Sequence, residues 1–116
     1  MEADADLTSA LRTIPQHSSV LIDALGGFVA CHLDDSDEVW NECCNRLIQQ
    51  LAGMHQTCVL VIEETGWGVV PPTRIGGRFR DRLGSLAQRL DQEADSAWLV
   101  LQGRAIDLHS LSQRVP

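Results

Sequence analysis

Short apolar runs and longer amphipathic stretches alternate along the chain. Three apolar runs, at residues 18–23, 57–62 and 97–101, are too short for helices, and the central run is rich in β-branched residues, so the three runs predict buried strands. The central run ends at two acids, Glu63 and Glu64, which a Gly-Trp-Gly sequence follows closely. Ligand crevices of parallel sheets lie at the carboxyl ends of the strands, and glycines there allow close approach of a ligand. The two acids are therefore either site residues or solvated acids at the exit of a strand.

Helical spacing of apolar residues predicts four helices, over residues 6–12, 24–33, 37–52 and 77–93. Ser36 is a suitable N-cap for the third helix. The expected core stripes are Val39, Cys43, Leu47 and Leu51, flanked by Trp40, Cys44 and Ile48, on the third helix, and Phe79, Leu83, Leu86 and Leu90 on the fourth. The order of strands and helices predicts an α/β fold in which helices flank a parallel sheet.

A three-stranded sheet is thin and leaves one edge without a partner, which indicates part of a larger α/β unit. The 116 residues suffice for a single domain with one core but are few for a complete α/β enzyme. Residues 108–116 are predicted to be a tail. No apolar run approaches the roughly 20 residues of a membrane span, and the acidic amino terminus is unlike a secretory or transit signal. These features predict a soluble, cytoplasmic domain.

The charged residues exclude one class of partner and suggest another. A net charge of -7 argues against nucleic-acid binding, which needs a basic surface. The chain contains no lysine, and five of its nine basic residues are arginines between positions 74 and 89. They are Arg74, Arg78, Arg80, Arg82 and Arg89. Guanidinium groups in such a patch can clamp phosphates or carboxylates. The alternative is a solvated helix face, paired with Asp81, Asp91 and Glu93.

Cysteine and histidine spacing does not indicate a metal centre. Cys31, Cys43, Cys44 and Cys58 form no Cys-x-x-Cys pair, and the four histidines are scattered. Buried reduced thiols are the favoured interpretation. A different metal signal comes from Asp23, which ends the first strand. An acid at this position is the Walker B arrangement, in which a carboxylate holds Mg²⁺ beside bound phosphates. Buried strands also end in Asp because this residue favours turns.

Several motifs follow one another in a specific order. They are Val20-Leu-Ile-Asp23 with Leu25, Glu64-x-Gly-Trp-Gly-x-Val-Pro71, Arg78-Phe-Arg-Asp81, Gly84, Gln88, Ala94-Asp95, Trp98-Leu-Val100 and Gly103. Together they resemble the bifunctional adenosylcobinamide kinase/adenosylcobinamide-phosphate guanylyltransferase family of cobalamin synthesis. The resemblance covers residues 2–108. The sequences at residues 63–65 and 81–85 are similar to those that cyanobacterial members of the family carry at these motifs.

The resemblance implies a P-loop NTPase-like (RecA-like) fold that is truncated at its amino terminus. Residues 1–116 would then be the carboxyl-terminal portion of a cytoplasmic homo-oligomer, a trimer. The family phosphorylates adenosylcobinamide, a corrinoid, with ATP or GTP. It then transfers GMP from GTP, through a histidine-bound intermediate, to give adenosylcobinamide-GDP. On the matching positions, Asp23 would be the Mg²⁺-side acid, and Glu2 and Leu25 would contact the guanine nucleotide. Glu64 and Arg78 are assigned to the nucleotide site from their position and charge.

The family's phosphate loop and its guanylylated histidine have no counterpart in this sequence. A P-loop needs a lysine that reaches the β- and γ-phosphates, and none of the four histidines lies in the family's histidine motif. We therefore expect the isolated chain to transfer neither phosphate nor GMP. Two hypotheses follow: the chain is the carboxyl-terminal portion of a working enzyme, or it is a non-catalytic remnant or nucleotide-binding/oligomerisation subunit.

Overall fold

The computed structural model describes residues 6–65 and 71–116. Five helices and four strands occur in these residues. They are α1 (Leu7–Arg12), β1 (Val20–Asp23), α2 (Leu25–Cys31), α3 (Asp37–Ala52), β2 (Cys58–Val61), α4 (Arg74–Glu93), β3 (Trp98–Leu101), β4 (Arg104–Asp107) and α5 (Leu108–Leu111). All four predicted helices are present. The Gly-Trp-Gly sequence and Glu2 lie outside the described residues.

Side-chain caps set where the two long helices begin. Ser36 accepts a hydrogen bond from the Val39 N–H at 3.2 Å, so α3 has its predicted start. The fourth helix begins at Arg74 rather than at Gly77, because Thr73 accepts a hydrogen bond from the Gly76 N–H at 3.0 Å. This cap was not part of the sequence prediction, which used only the periodicity of apolar residues.

The core lies between the four longest helices and the inner face of the β1–β2 pair. Its buried apolar residues are Leu7, Leu11, Leu25, Phe28, Val29, Trp40, Cys44, Leu47, Leu83, Leu86 and Leu90. On α4 the predicted apolar face is confirmed, with Phe79 packed at its margin. On α3 the buried face is rotated from the prediction towards Trp40 and Cys44, and Val39 is 48% exposed. The rotation arises because α1 and α4 both pack on α3 and leave Val39 on the outer side.

Strands β1 and β2 pair in parallel, as predicted, with Val20 opposite Cys58 and Asp23 opposite Val61. Only one face of this pair is covered by the described elements. Leu21, Val59 and Val61 on the other face are 66%, 54% and 40% exposed. The prediction of fully buried strands is therefore wrong for this face. Parallel sheets are normally covered on both faces, so an uncovered apolar face is unusual.

The third predicted strand does not join the parallel sheet. It forms β3, which pairs antiparallel with β4 in a separate two-stranded sheet, and its Trp98 and Val100 are 55% and 67% exposed. The prediction of a third buried parallel strand is wrong. Gln102 and Gly103 have φ values of 53° and 72°, which suit a two-residue hairpin turn with both central residues in the left-handed region. Gly103, which the sequence pattern predicted to end a strand, thus lies at the tip of a hairpin.

The predicted tail contains a short helix, α5. The Asp107 side chain accepts hydrogen bonds from the backbone N–H groups of His109 and Ser110 and begins this helix. The Ser110 hydroxyl, which also donates to this carboxylate, and then the two backbone bonds hold the pKa of Asp107 below its ordinary value. Within the described ranges, no helix has the length and apolar character needed to cross a membrane.

Candidate functional site

Acidic side chains gather at the carboxyl end of the parallel pair. Asp23 is the last residue of β1, and Glu63 and Glu64 follow β2 within three residues. All three are exposed. Because the strands are parallel, their carboxyl ends meet at one edge, as the sequence predicted. Exposed carboxylate oxygens are the ligands that Mg²⁺ accepts, so the donor set here suits that ion.

Glu63 has a structural contact that the sequence did not reveal. The backbone N–H of Gly26 donates to Glu63 Oε1 at 3.1 Å. Residue Ala24, at the N-cap position of α2, offers no side-chain cap, so the Glu63 carboxylate satisfies one of the helix's first N–H groups. A Cβ atom on Gly26 would overlap Glu63 Oε2, which explains why glycine suits this position. The contact ties the end of β2 to the start of α2.

Replacing Gly26 with alanine should lower the free energy of unfolding by about 1 kcal/mol, because the new methyl group displaces the Glu63 carboxylate and removes a helix cap. In a Glu63→Ala background the same change should instead be neutral or stabilising by up to about 0.5 kcal/mol, since alanine is the better helix former. Urea unfolding of the unmodified chain, the two single variants and the double variant measures both effects.

Glu63→Gln is the matched control for this double-mutant cycle. Its amide oxygen can accept the Gly26 bond, and its side chain keeps the same volume, so Gly26→Ala should remain destabilising in that background. An equal effect of Gly26→Ala in all three backgrounds would contradict the assignment.

The arginines of α4 contact different partners and do not form one clamp. Arg80 pairs with Asp81 at 3.1 Å, as one of the two hypotheses expected, and Arg89 donates to Asn45 at 2.7 Å. Arg78 donates to the backbone oxygen of Leu33 at 2.9 Å. Arg82 is 6% exposed and is thus neither solvated nor accessible to a ligand.

Arg82 instead binds the segment between α2 and α3. It donates to the backbone oxygens of His32 and Asp35, both at 2.8 Å, and to Asp37 Oδ1 at 3.1 Å. Its guanidinium carbon lies 5.4 Å from the centre of the Trp40 ring, within the range of cation–π attraction. A buried cation that satisfies two backbone carbonyls fixes the course of this segment.

A cluster of three side chains from this region was missed by the sequence analysis. His32 Nδ1 lies 2.7 Å from Asp35 Oδ2 and 3.9 Å from Cys43 Sγ. Spacing along the chain suggested scattered groups, but the turn after α2 brings His32 back against α3.

All four cysteines are free, and only Cys44 is fully buried, so the prediction of buried thiols is wrong for the exposed Cys31.

The residues assigned to the nucleotide site have different environments. Glu64 is exposed beyond β2, near the end of β1 that carries Asp23. Leu25, two residues after Asp23, is fully buried in the core. Arg78 reaches Leu33, beyond the far end of α2, and this seven-residue helix is about 10 Å long. The structure therefore brings Asp23 and Glu64 to one edge and holds Arg78 at the opposite end of α2.

A cleft of about 660 Å³ lies beside β1, and Asp23 is among the residues that line it. One wall is formed by α1, with Leu7 and Leu11, and the other by β1 and the residues just before it, including Leu21 and Ser19. Among the described strands β1 pairs only with β2, so its second edge opens into this cleft.

Comparisons with known proteins point to one family. The family model described as cobinamide kinase / cobinamide phosphate guanyltransferase matches residues 1–108. The bifunctional adenosylcobalamin biosynthesis protein CobU of Salmonella typhimurium is 33% identical over 114 residues, 90% of this chain and 58% of that protein. Its Escherichia coli counterpart of the same name is 35% identical over 75 residues, 61% of this chain and 41% of that protein. This chain thus spans about half the length of these relatives. Together with the ordered motifs, the match over residues 1–108 shows that the chain belongs to the cobinamide kinase / cobinamide phosphate guanyltransferase family.

Proposed function

We propose that this chain is the carboxyl-terminal portion of a cobinamide kinase / cobinamide phosphate guanyltransferase of cobalamin biosynthesis. The observation that carries the proposal is the family match over residues 1–108, within which Asp23 is exposed at the carboxyl end of a parallel strand. The complete enzyme would phosphorylate adenosylcobinamide with ATP or GTP and then transfer GMP from GTP. Mg²⁺ would neutralise phosphate charge in both steps.

In this proposal Asp23 holds or orients the Mg²⁺ ion, and Glu64 lies beside the phosphates at the same edge. Leu25 is also assigned to the guanine-nucleotide contacts, and because it is fully buried in this structure, neighbouring groups would have to move for it to reach the nucleotide. Glu2 is proposed to contact the guanine nucleotide. Arg78 would reach a nucleotide only by leaving the Leu33 carbonyl, to which it now donates. The proposed assembly is a homotrimer.

The uncovered face of the β1–β2 pair suggests where a phosphate-binding segment would pack. Leu21, Val59 and Val61 form an apolar surface there, and alternation along β1 places Asp23 on the same face as Leu21. A segment that covers these residues would bring its own groups next to Asp23. We propose a P-loop, RecA-like arrangement in which this segment supplies the lysine that the chain does not contain.

The test is reconstitution of kinase activity. The purified chain alone, and the chain mixed with the amino-terminal portion of the Salmonella relative, are assayed for phosphate transfer from labelled GTP to adenosylcobinamide. We expect no product from the chain alone and product from the mixture. Asp23→Asn should reduce the rate of the mixture about 100-fold or more, because the metal-side charge is lost. Glu38→Gln, which removes an exposed acid on α3, should leave the rate unchanged.

The second candidate function is a non-catalytic remnant or nucleotide-binding/oligomerisation subunit, which the absence of any lysine favours. Association of the two portions without phosphate transfer would support this candidate against the first. Phosphate transfer by the chain alone would contradict the expected inactivity of the isolated chain.

A further inference from the structure

We propose that His32, Asp35 and Cys43 form a binding site for a divalent transition metal of the zinc type. One ligand atom from each residue lies within 4.8 Å of the other two. His32 follows the end of α2, Asp35 lies in the turn to α3, and Cys43 is in the second turn of α3. This site is separate from the acids at the sheet edge, and the proposal does not depend on the enzymatic activity.

The geometry distinguishes a chelating site from a nucleophilic triad. In a triad the acid and the nucleophile contact opposite nitrogens of the histidine ring. Here the Asp35 oxygen and the Cys43 sulfur both approach Nδ1, at 2.7 Å and 3.9 Å. The three atoms therefore lie around a common point, as the ligands of one ion do. Proton transfer in a nucleophilic triad does not require this arrangement.

The separations are close to those of a tetrahedral zinc ion. Zinc bonds of about 2.0–2.3 Å place nitrogen and sulfur ligands about 3.6 Å apart, and nitrogen and oxygen ligands about 3.4 Å apart. The sulfur must approach Nδ1 by about 0.3 Å and the carboxylate must retreat from it by about 0.7 Å. The Asp35 oxygen and the Cys43 sulfur, which lie within 4.8 Å of each other, must close to about 3.6 Å. These movements are small rotations of side chains that are only partly buried.

The donor set and its charge select the class of ion. A thiolate and a carboxylate neutralise a divalent cation, and imidazole with thiolate suits zinc or cobalt rather than Mg²⁺ or Ca²⁺, which prefer oxygen. Three protein ligands leave a fourth position for water.

The surroundings hold the histidine and aspartate in place before any ion binds. Arg82 donates to the backbone oxygens of both residues, and the Phe28 and Trp40 rings lie 4.9 Å and 6.0 Å from the His32 ring. The charge of Arg82 is paired with Asp37. Arg46 donates to Cys43 Sγ at 3.9 Å, but its side chain is 56% exposed and can turn into solvent when a cation binds.

The experiment is a titration of the reduced, purified chain with Co²⁺, followed by displacement with Zn²⁺. We expect one Co²⁺ per chain, with the near-ultraviolet absorption of a cobalt–thiolate bond, and loss of the signal when Zn²⁺ is added. Cys43→Ser should abolish the thiolate band. Asp35→Asn should weaken Co²⁺ binding more than about 100-fold, since loss of a direct ligand exceeds the effect of outer-shell changes.

Cys31→Ser is the matched control, because Cys31 is an exposed thiol one residue before His32 and should leave the band intact. Circular dichroism checks the fold of every variant. A substitution of His32 would also disturb its packing against the Phe28 and Trp40 rings. The Asp35→Asn and Cys43→Ser variants therefore decide the result. Binding no tighter than about 1 mM in the unmodified chain, or a thiolate band that survives Cys43→Ser, would overturn the proposal.

Discussion

Replacing Arg82 with methionine should lower the free energy of unfolding by about 3 kcal/mol. Methionine fills most of the volume but donates no hydrogen bond, so the carbonyls of His32 and Asp35 lose their charged donor. Buried carbonyls without a partner cost about 1–3 kcal/mol each. Urea unfolding, followed by tryptophan fluorescence to which the buried Trp40 contributes, measures the change.

Three control variants separate the causes. Arg46→Met removes an exposed arginine whose contact with Glu42 is 3.9 Å long and should cost less than about 0.5 kcal/mol. Asp37→Asn should cost below about 1 kcal/mol, because the Asp37 side chain is 88% exposed and the ion pair is largely solvated. Arg82→Lys should recover only part of the loss, since an ammonium lacks the guanidinium fork. Equal effects of the Arg82 and Arg46 changes would show that the carbonyl contacts contribute nothing.

The second large effect is a loss of stability between pH 9 and 11, of up to about 2–3 kcal/mol. Burial raises the pKa of the Cys44 thiol from 9.0 to about 11, and Cys43 acts in the same direction while Arg89 and Arg82 oppose it. The unfolded chain releases this proton near pH 9, whereas the folded chain keeps it. The stabilisation is therefore complete below pH 9 and is lost as the pH rises to about 11. Burial raises the pKa of Cys58 as well and adds to the effect.

The composition makes this alkaline transition unusually easy to assign. The chain contains no tyrosine and no lysine, so cysteine thiols are its only side chains that titrate between pH 9 and 11. Unfolding free energies measured across this range should fall steeply for the unmodified protein and for Cys31→Ser, whose thiol is exposed. Cys44→Ala should retain only a shallow slope. A full slope in the alanine variant would assign the transition to another thiol.

Local features of the fold were predictable because they depend on neighbouring residues. Ser36 caps α3 through a residue three positions away, and the apolar spacing of Leu83, Leu86 and Leu90 determines which face of α4 is buried. The hairpin of β3 and β4 was also local, but its Gln-Gly turn lacks the usual asparagine or aspartate before glycine, and it was interpreted as the end of a strand.

The candidate site was predictable only in outline. An apolar run that ends in an acid predicted the position of Asp23, and the run before Glu63 and Glu64 predicted the same edge of the sheet. The contact of Glu63 with Gly26 spans 37 positions, and no local pattern distinguishes such a capping acid from a ligand-binding one. The same is true of Arg78, whose charge suggested a phosphate but whose partner is a backbone carbonyl.

By itself, the sequence determined the four longest helices, the Ser36 cap of α3, the parallel pair of strands and the family. Only the tertiary structure decided that Arg82 is buried, that Leu21 and Val59 lie on an uncovered face, and that His32 meets Cys43. The reason is physical. Helical periodicity and capping arise between residues at most four positions apart, and they act whatever the rest of the chain does. Burial of an arginine, or convergence of three ligands, depends on how whole elements pack against each other, and that packing is a property of the complete core.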